Sequence, residues 1–249
     1  MKNLFLEGPI QTGKSTLIRE VLAPYMDCVD GFTCQRLLAP AASEHSSDEK
    51  PLQVLGYRIA PADSSIDLEL DPDFVSKFLE ANDTAALPDG IFKLFTPTGA
   101  KVYDKVFETM GVRLMKQSFD AAKSSSPTKA DSPEAALGNR RSIKLMLLDE
   151  IGGHELLNNE FRETLYAILE SDIPSIGVIK HRENTKHMVR RLPTEEAEQI
   201  INYNLELRKK ITGLDNELGE ICYYERGLKG VREKLEAFVH NAAEHPNCR

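Results

Sequence analysis

At 249 residues the chain is long enough to bury a substantial core, and it reads as one domain, residues 1–249. Its formal net charge of −8 excludes a general polyanion-binding surface, so nucleic acid is not an expected partner, although a local basic cleft can still hold one nucleotide. No apolar run approaches the roughly 20 residues that span a bilayer, the N-terminus enters a core strand rather than a leader, and Cys28, Cys34, Cys222 and Cys248 lack C-x-x-C spacing, so a cytoplasmic protein with reduced thiols and no membrane association is expected.

Residues 2–7 form a short buried strand that delivers the chain into Gly8-Pro9-Ile10-Gln11-Thr12-Gly13-Lys14-Ser15, followed by Thr16. The spacing G-x-x-x-x-G-K-S is that of a phosphate-binding loop. Such a loop turns its backbone amides towards phosphate oxygens, and the helix behind it adds the positive end of its dipole. Lys14 supplies a charge for the β and γ phosphates and Ser15 a hydroxyl for Mg2+. The helix runs from Ser15 to about Tyr25, where Pro24 stops it.

Val29 to Leu37 is a second strand. Residues 39–51, rich in Pro, Ser and acids, read as a loop rather than its continuation. Leu52 to Ile59 alternates as a strand should, which pairs 29–37 and 52–59 as an antiparallel hairpin. Residues 71–81 read as an N-capped amphipathic helix, Gly90 to Phe95 as a strand, and Thr96 to Gly99 as a turn. Apolar residues at 102, 106, 110, 114 and 115 predict one helix over Val102 to Ala122. Residues 123–141 lack periodicity and read as a disordered insertion. Ile143 to Leu148 is a near-continuous apolar run, hence a central parallel strand buried on both faces, and it ends in Asp149-Glu150. Asn158 or Asn159 caps a helix through Ser171, and Ser175 to Ile179 is another buried strand. A basic helical turn over 184–191, a charged helix over 194–210, a strand at Ile221 to Tyr224 and a helix from Gly227 to Asn241 complete the chain. No internal repeat is visible.

Acids at the tip of a buried strand face the crevice where open α/β sheets bind ligands. Taken alone, Asp149 and Glu150 would be solvated carboxylates; beside a phosphate loop they divide into a metal-holding acid, Asp149 with Ser15, and one that polarises an attacking water, Glu150. His154, His181 and His187 have no ligand spacing and read as structural.

With Gly8-Pro9, Gly13-Lys14-Ser15-Thr16, Gly31-Phe32, Gly56-Tyr57 and Leu148-Asp149-Glu150-Ile151-Gly152 followed by Glu155-Leu156 and Phe161, the chain resembles the small P-loop nucleoside-triphosphatase family that includes the cancer-related nucleoside-triphosphatase. The resemblance implies an α/β fold with a RecA-like, mostly parallel sheet flanked by helices, here with a β-hairpin and insertions near 39–51, 123–141 and 193–218. It implies Mg2+-dependent hydrolysis of ATP, GTP and other nucleoside triphosphates to the diphosphate. Lys14, Ser15, Asp149 and Glu150 carry over directly. Gln11 stands where relatives commonly have glycine, so it must adopt an ordinary backbone or bear strain of roughly 1–3 kcal/mol. A Thr-Glu-Glu segment of the family is replaced by Thr33-Cys34-Gln35-Arg36. Among the cations after the second buried strand, Arg182, Arg190 and Arg191, the resemblance points most to Arg190 for charge on the γ phosphate, while a basic helix face is as readily a solvated one.

Two other functions use the same loop: a nucleotide or small-molecule kinase, and a nucleotide-controlled binding switch. Glu150 beside Asp149 favours hydrolysis. The sequence names no protein partner and is compatible with a monomer or weak oligomer.

Overall fold

A computed structural model describes residues 1–40, 52–71, 89–96, 99–124 and 142–244. The expected helix at 71–81, the loop at 41–51 and the insertion over 125–141 lie outside the described residues. Within them a mixed α/β sheet is flanked by helices on both faces. Its strands are β1 (Asn3–Glu7), β2 (Val29–Pro40), β3 (Leu52–Pro61), β4 (Asp67–Glu69), β5 (Ile91–Thr96), β6 (Gly99–Val102), β7 (Leu145–Ile151), β8 (Ser175–Ile179) and β9 (Gly219–Tyr223). They run in the order β6-β5-β3-β2-β7-β8-β1-β9, with β4 beside β2. Helices are α1 (Lys14–Leu22), α2 (Val112–Ser124), α3 (Asn159–Glu170), α4 (Arg182–Val189), α5 (Thr194–Thr212) and α6 (Val231–Glu244).

The parallel half carries the glycine-rich loop after β1 and the acids of β7. β1 lies between β8 and β9, pairing Leu4 with Ile176 and with Glu220, and β7 lies between β2 and β8. Alternation along the apolar run of β7 explains why both its faces are buried: Leu145 and Leu147 join Leu17, Ile18, Leu235 and Phe238 on the α1 and α6 side, while Met146 and Leu148 join Phe161, Leu165, Leu207 and Ile211 on the α3 and α5 side.

The antiparallel half is an extension of β2. Phe32 to Pro40 pairs with Leu52 to Pro61, so the hairpin forms as the alternation indicates, but Ala39 and Pro40 still belong to the strand and the loop begins later than expected. β4, too short to show a periodic pattern, pairs with β2 in parallel through Arg36 to Leu38, where Arg36 grips Asp67 by Nε at 2.6 Å and Nη2 at 2.8 Å.

The single helix expected over 102–122 is corrected. Val102 ends β6, paired to Lys93, and the chain enters its helix only after Tyr103, through a widened turn over Phe107–Gly111 that leads into α2. Residues 106, 110, 114 and 115 do form the inward stripe, but the hairpin closing at Thr96/Gly99 outcompetes helix at 102. The last helix begins at Val231 rather than Gly227, because Gly227 and Gly230 hold turns at φ 90° and 86°. In the 193–218 stretch, α5 buries Ile200, Asn204, Leu207, Arg208 and Ile211 against the sheet. Among the described residues no helix is long and apolar enough to cross a membrane.

Candidate active site

The phosphate loop crosses from β1 to α1 beside the end of β9. Gly8 has φ 148°, and a Cβ there would lie 2.1 Å from the Tyr224 carbonyl oxygen, so only glycine passes. Gly13, at φ 89°, begins α1 in left-handed backbone. Gln11 also adopts φ 63°, so the non-glycine residue bears the strain instead of reshaping the loop. The buried Lys14 ammonium donates to the carbonyls of Pro9, at 2.6 Å, and Gly8, at 3.3 Å. Burial pulls its pKa down, against the pull of Glu150 and Asp149.

Behind the loop, Ser15 Oγ donates to Asp149 Oδ1 at 2.9 Å, and Asp149 Oδ2 accepts from Thr33 Oγ1 at 3.2 Å and from the Cys34 amide at 3.1 Å. Desolvation, then the charge of Glu150, pushes the Asp149 carboxyl up to about 6 despite these donors. Thr33 and Cys34, which the sequence marks only as a departure from a family pattern, thus hold this acid in place.

Glu150 reaches the site through a defect in the sheet. Leu148 pairs with Gly177 but Ile151 with Ile179, so Asp149 and Glu150 together oppose the single residue Val178. This is a β-bulge. The extra residue returns Ile151 to the core face of Leu148, where both join one apolar cluster, and turns Glu150, at φ 59°, to the cavity wall instead. A plain strand would have pointed it into that core.

The cavity, of about 750 Å³, is lined by Gly8, Ile10 to Ser15 with Thr16, by Glu150, and by Lys180, His181 and Asn184 beyond β8. It continues on one side to Tyr224, Arg226 and Arg232 and on the other to Tyr57, Phe92 and Lys93 of the hairpin. Pro9 is present through its carbonyl to Lys14. Arg190 is not part of the wall; its Nη1 lies 3.1 Å from His187 Nδ1 at the exposed end of α4. The cation that sequence reasoning passed over is Lys180. Its Nζ donates to the Glu150 carbonyl at 2.5 Å and lies 3.7 Å from Glu155 Oε2. Burial alone would lower its pKa, but Glu155, Glu150, Cys34 and Asp149 together outweigh burial and raise it. A cation at the tip of an apolar strand was the available signal, the same one that marks Asp149.

A family model described as NTPase matches residues 133–213, the stretch that carries β7 with its bulge, α3, β8, α4 and all of α5. The match covers 81 residues, about a third of the chain. No curated protein matches this chain in sequence. Among solved structures it is similar to THEP1 from the hyperthermophile Aquifex aeolicus, at 18% identity over 77% of this chain and 86% of that one, with a TM-score of 0.43. It is likewise similar to a human cancer-related nucleoside triphosphatase, at 17% identity over 99% of both chains, with a TM-score of 0.43.

Proposed function

We propose that this protein is a nucleoside-triphosphatase that hydrolyses nucleoside 5′-triphosphates, ATP and GTP among them, to the diphosphate and phosphate in a Mg2+-dependent reaction with loose base selectivity. The observation that carries this reading is the pairing of Ser15 with Asp149 behind the phosphate loop, with Glu150 turned into the same cavity.

A hydroxyl and a carboxylate oxygen are the hard donors that suit Mg2+, which takes its remaining ligands from phosphate and water. Ser15 and Asp149 would hold the ion, and its chemistry would be to neutralise charge on the β and γ oxygens. Lys14 would exchange the carbonyls of Gly8 and Pro9 for phosphate oxygens. The loop amides from Gly8 to Thr16 would fix the phosphate chain. Glu150 would hold the attacking water in line and accept its proton as the bond to the γ phosphorus forms and that from the γ phosphorus to the β–γ bridging oxygen breaks, the diphosphate leaving. Arg190 could contribute only if the end of α4 swings towards the cavity.

One observation supports a second reading. The cavity runs past the loop to the hairpin wall at Tyr57, Phe92 and Lys93, space that an acceptor for phosphoryl transfer could fill. Free phosphate release from ATP, GTP, CTP, UTP and dATP, with and without Mg2+ and with no acceptor present, separates the two. Hydrolysis predicts Mg2+-dependent release from several of them, abolished in Lys14→Ala. In Glu150→Gln the rate should fall about 10²–10⁴-fold, the usual contribution of a general base, with nucleotide affinity kept. Release only into an added acceptor would overturn the hydrolase reading, and a Glu150→Gln rate above about a tenth of wild type, outside the range for a base, would overturn the role of Glu150.

A further inference from the structure

We propose that Lys180 is a positioning residue for hydrolysis: its ammonium pins the carbonyl of Glu150 and so keeps the Glu150 carboxylate on the cavity wall. The proposal rests on the reading of Glu150 as the acid that orients water.

The bulge creates the need for such a residue. In the left-handed backbone of Glu150 the carbonyl turns out of the ladder that would otherwise satisfy it, and a sequestered carbonyl requires another donor. Lys180 Nζ supplies that donor at 2.5 Å. Its side chain reaches Glu150 by crossing Gly153: a Cβ at that position would lie 2.8 Å from Lys180 Cε and 3.0 Å from Nζ, so the route is open because residue 153 has no side chain. The ammonium is aligned by Glu155, whose Oε2 lies 3.7 Å away while its Oε1 accepts from the amides of Gly152, at 2.5 Å, and Gly153, at 2.7 Å.

The backbone of Lys180 is fixed as well. Its amide donates to the Ile151 carbonyl at 2.8 Å, and its carbonyl accepts from Arg208 Nη2 at 3.1 Å. One residue therefore joins both ends of the bulge, the turn after it and α5. Without the ammonium the Glu150 carbonyl would lose its partner, and the residue could relax to extended backbone, which would carry its side chain away from the cavity. Lys180 makes no hydrogen bond to the phosphate loop among the described residues, so its loss should weigh more on turnover than on nucleotide binding.

The test is a double-mutant cycle between Lys180→Met and Glu150→Gln. Displacing a catalytic group by about 1 Å costs on the order of 10²-fold, so Lys180→Met should lower kcat about 10–100-fold, with the affinity for a non-hydrolysable nucleotide analogue within about twofold of wild type. In the Glu150→Gln background the same substitution should cost almost nothing, because Lys180 acts through Glu150. A full loss persisting in that background would mean that Lys180 works independently, on phosphate or on general stability, and would overturn the proposal. So would an unchanged kcat in Lys180→Met, or a parallel loss of nucleotide affinity. If Glu150→Gln alone keeps the wild-type rate, it is the role of Glu150 that fails, and the proposal fails with it. Should Lys180→Met not fold because Glu155 is left buried without its ion partner, Lys180→Met/Glu155→Gln removes that charge and is read in the same way.

Discussion

Gln11 and Glu150 carry left-handed backbone on two sides of the cavity, at φ 63° and 59°. For an L-residue this conformation costs roughly 1–2 kcal/mol, and at Gln11, whose side chain is exposed, nothing in the packing requires the residue that incurs it. Gln11→Gly removes the cost but loosens the unfolded chain by about 0.4–1 kcal/mol. The expected net is a gain between zero and about 1.6 kcal/mol, or a Tm higher by up to about 6 °C for a chain of this size; a lower Tm would contradict it. Asp149 yields a pH prediction. Its pKa is about 6 in the folded protein against an ordinary 3.8, so between those values the native state binds more protons than the unfolded chain. Stability from this group is therefore lost as pH rises from about 4 to 6, on the order of 1–3 kcal/mol. In Asp149→Asn the loss disappears. Urea unfolding with chelator and without nucleotide should show the two proteins diverging across that window, with the variant the more stable above it. Parallel curves would show that Asp149 ionises at its ordinary value. The phosphate loop and the acid pair were legible in the sequence because each depends on residue type at fixed local spacing. Lys180 and the Thr33–Cys34 cradle were not, since their partners Glu150 and Asp149 are distant in the chain and meet them only through strand pairing.

At the scale of elements, helical and strand periodicities located the core of the fold: the run through Leu148 became the doubly covered β7, and Asn158 caps α3 by accepting from the Phe161 amide at 2.7 Å. Boundaries failed where pairing overrode local pattern, as at Val102, drawn into β6, and at Ala39 and Pro40, drawn into β2. The bulge in β7 left no trace, because bulges of this geometry usually announce themselves by glycine and here the position is Glu150. The 193–218 stretch shows why charge alone is a poor guide to burial. α5 is charged on its outer face, yet Arg208 bonds Glu7 at 2.7 Å and Asn204 at 3.0 Å, and Asn204 donates to the Gly152 carbonyl at 2.8 Å. This helix closes one face of the parallel sheet and braces the turn beyond Glu150. Replacing residues 193–218 by a short linker should abolish the cooperative thermal transition, because Leu207, Ile211 and their neighbours in the core would be uncovered. A trimmed protein that melts cooperatively would return α5 to the status of an appendage.

The whole molecule gathers its site from the ends of β1, β2, β7, β8 and β9 on one edge of the sheet, so nucleotide should stabilise all of it at once. At a concentration 100 times Kd, a ligand that binds only the folded state adds about 2.7 kcal/mol, or roughly 5–11 °C in Tm for a chain of this size. Differential scanning fluorimetry with a non-hydrolysable triphosphate should show that rise in the wild type and not in Lys14→Ala; an equal rise in both would remove Lys14 from the binding site. The position of β1 in the sheet has a consequence in time as well. β1 is made early, but both strands that flank it, Ser175–Ile179 and Gly219–Tyr223, lie in the last third of the chain, and Gly8 is moulded against the carbonyl of Tyr224. At about 5–20 residues per second, roughly 10–40 s of synthesis separate the emergence of β1 from that of β9. For all of that interval the nascent chain carries a complete phosphate-loop sequence that cannot yet grip a phosphate, and its apolar first strand must be kept from other partners until its own arrive.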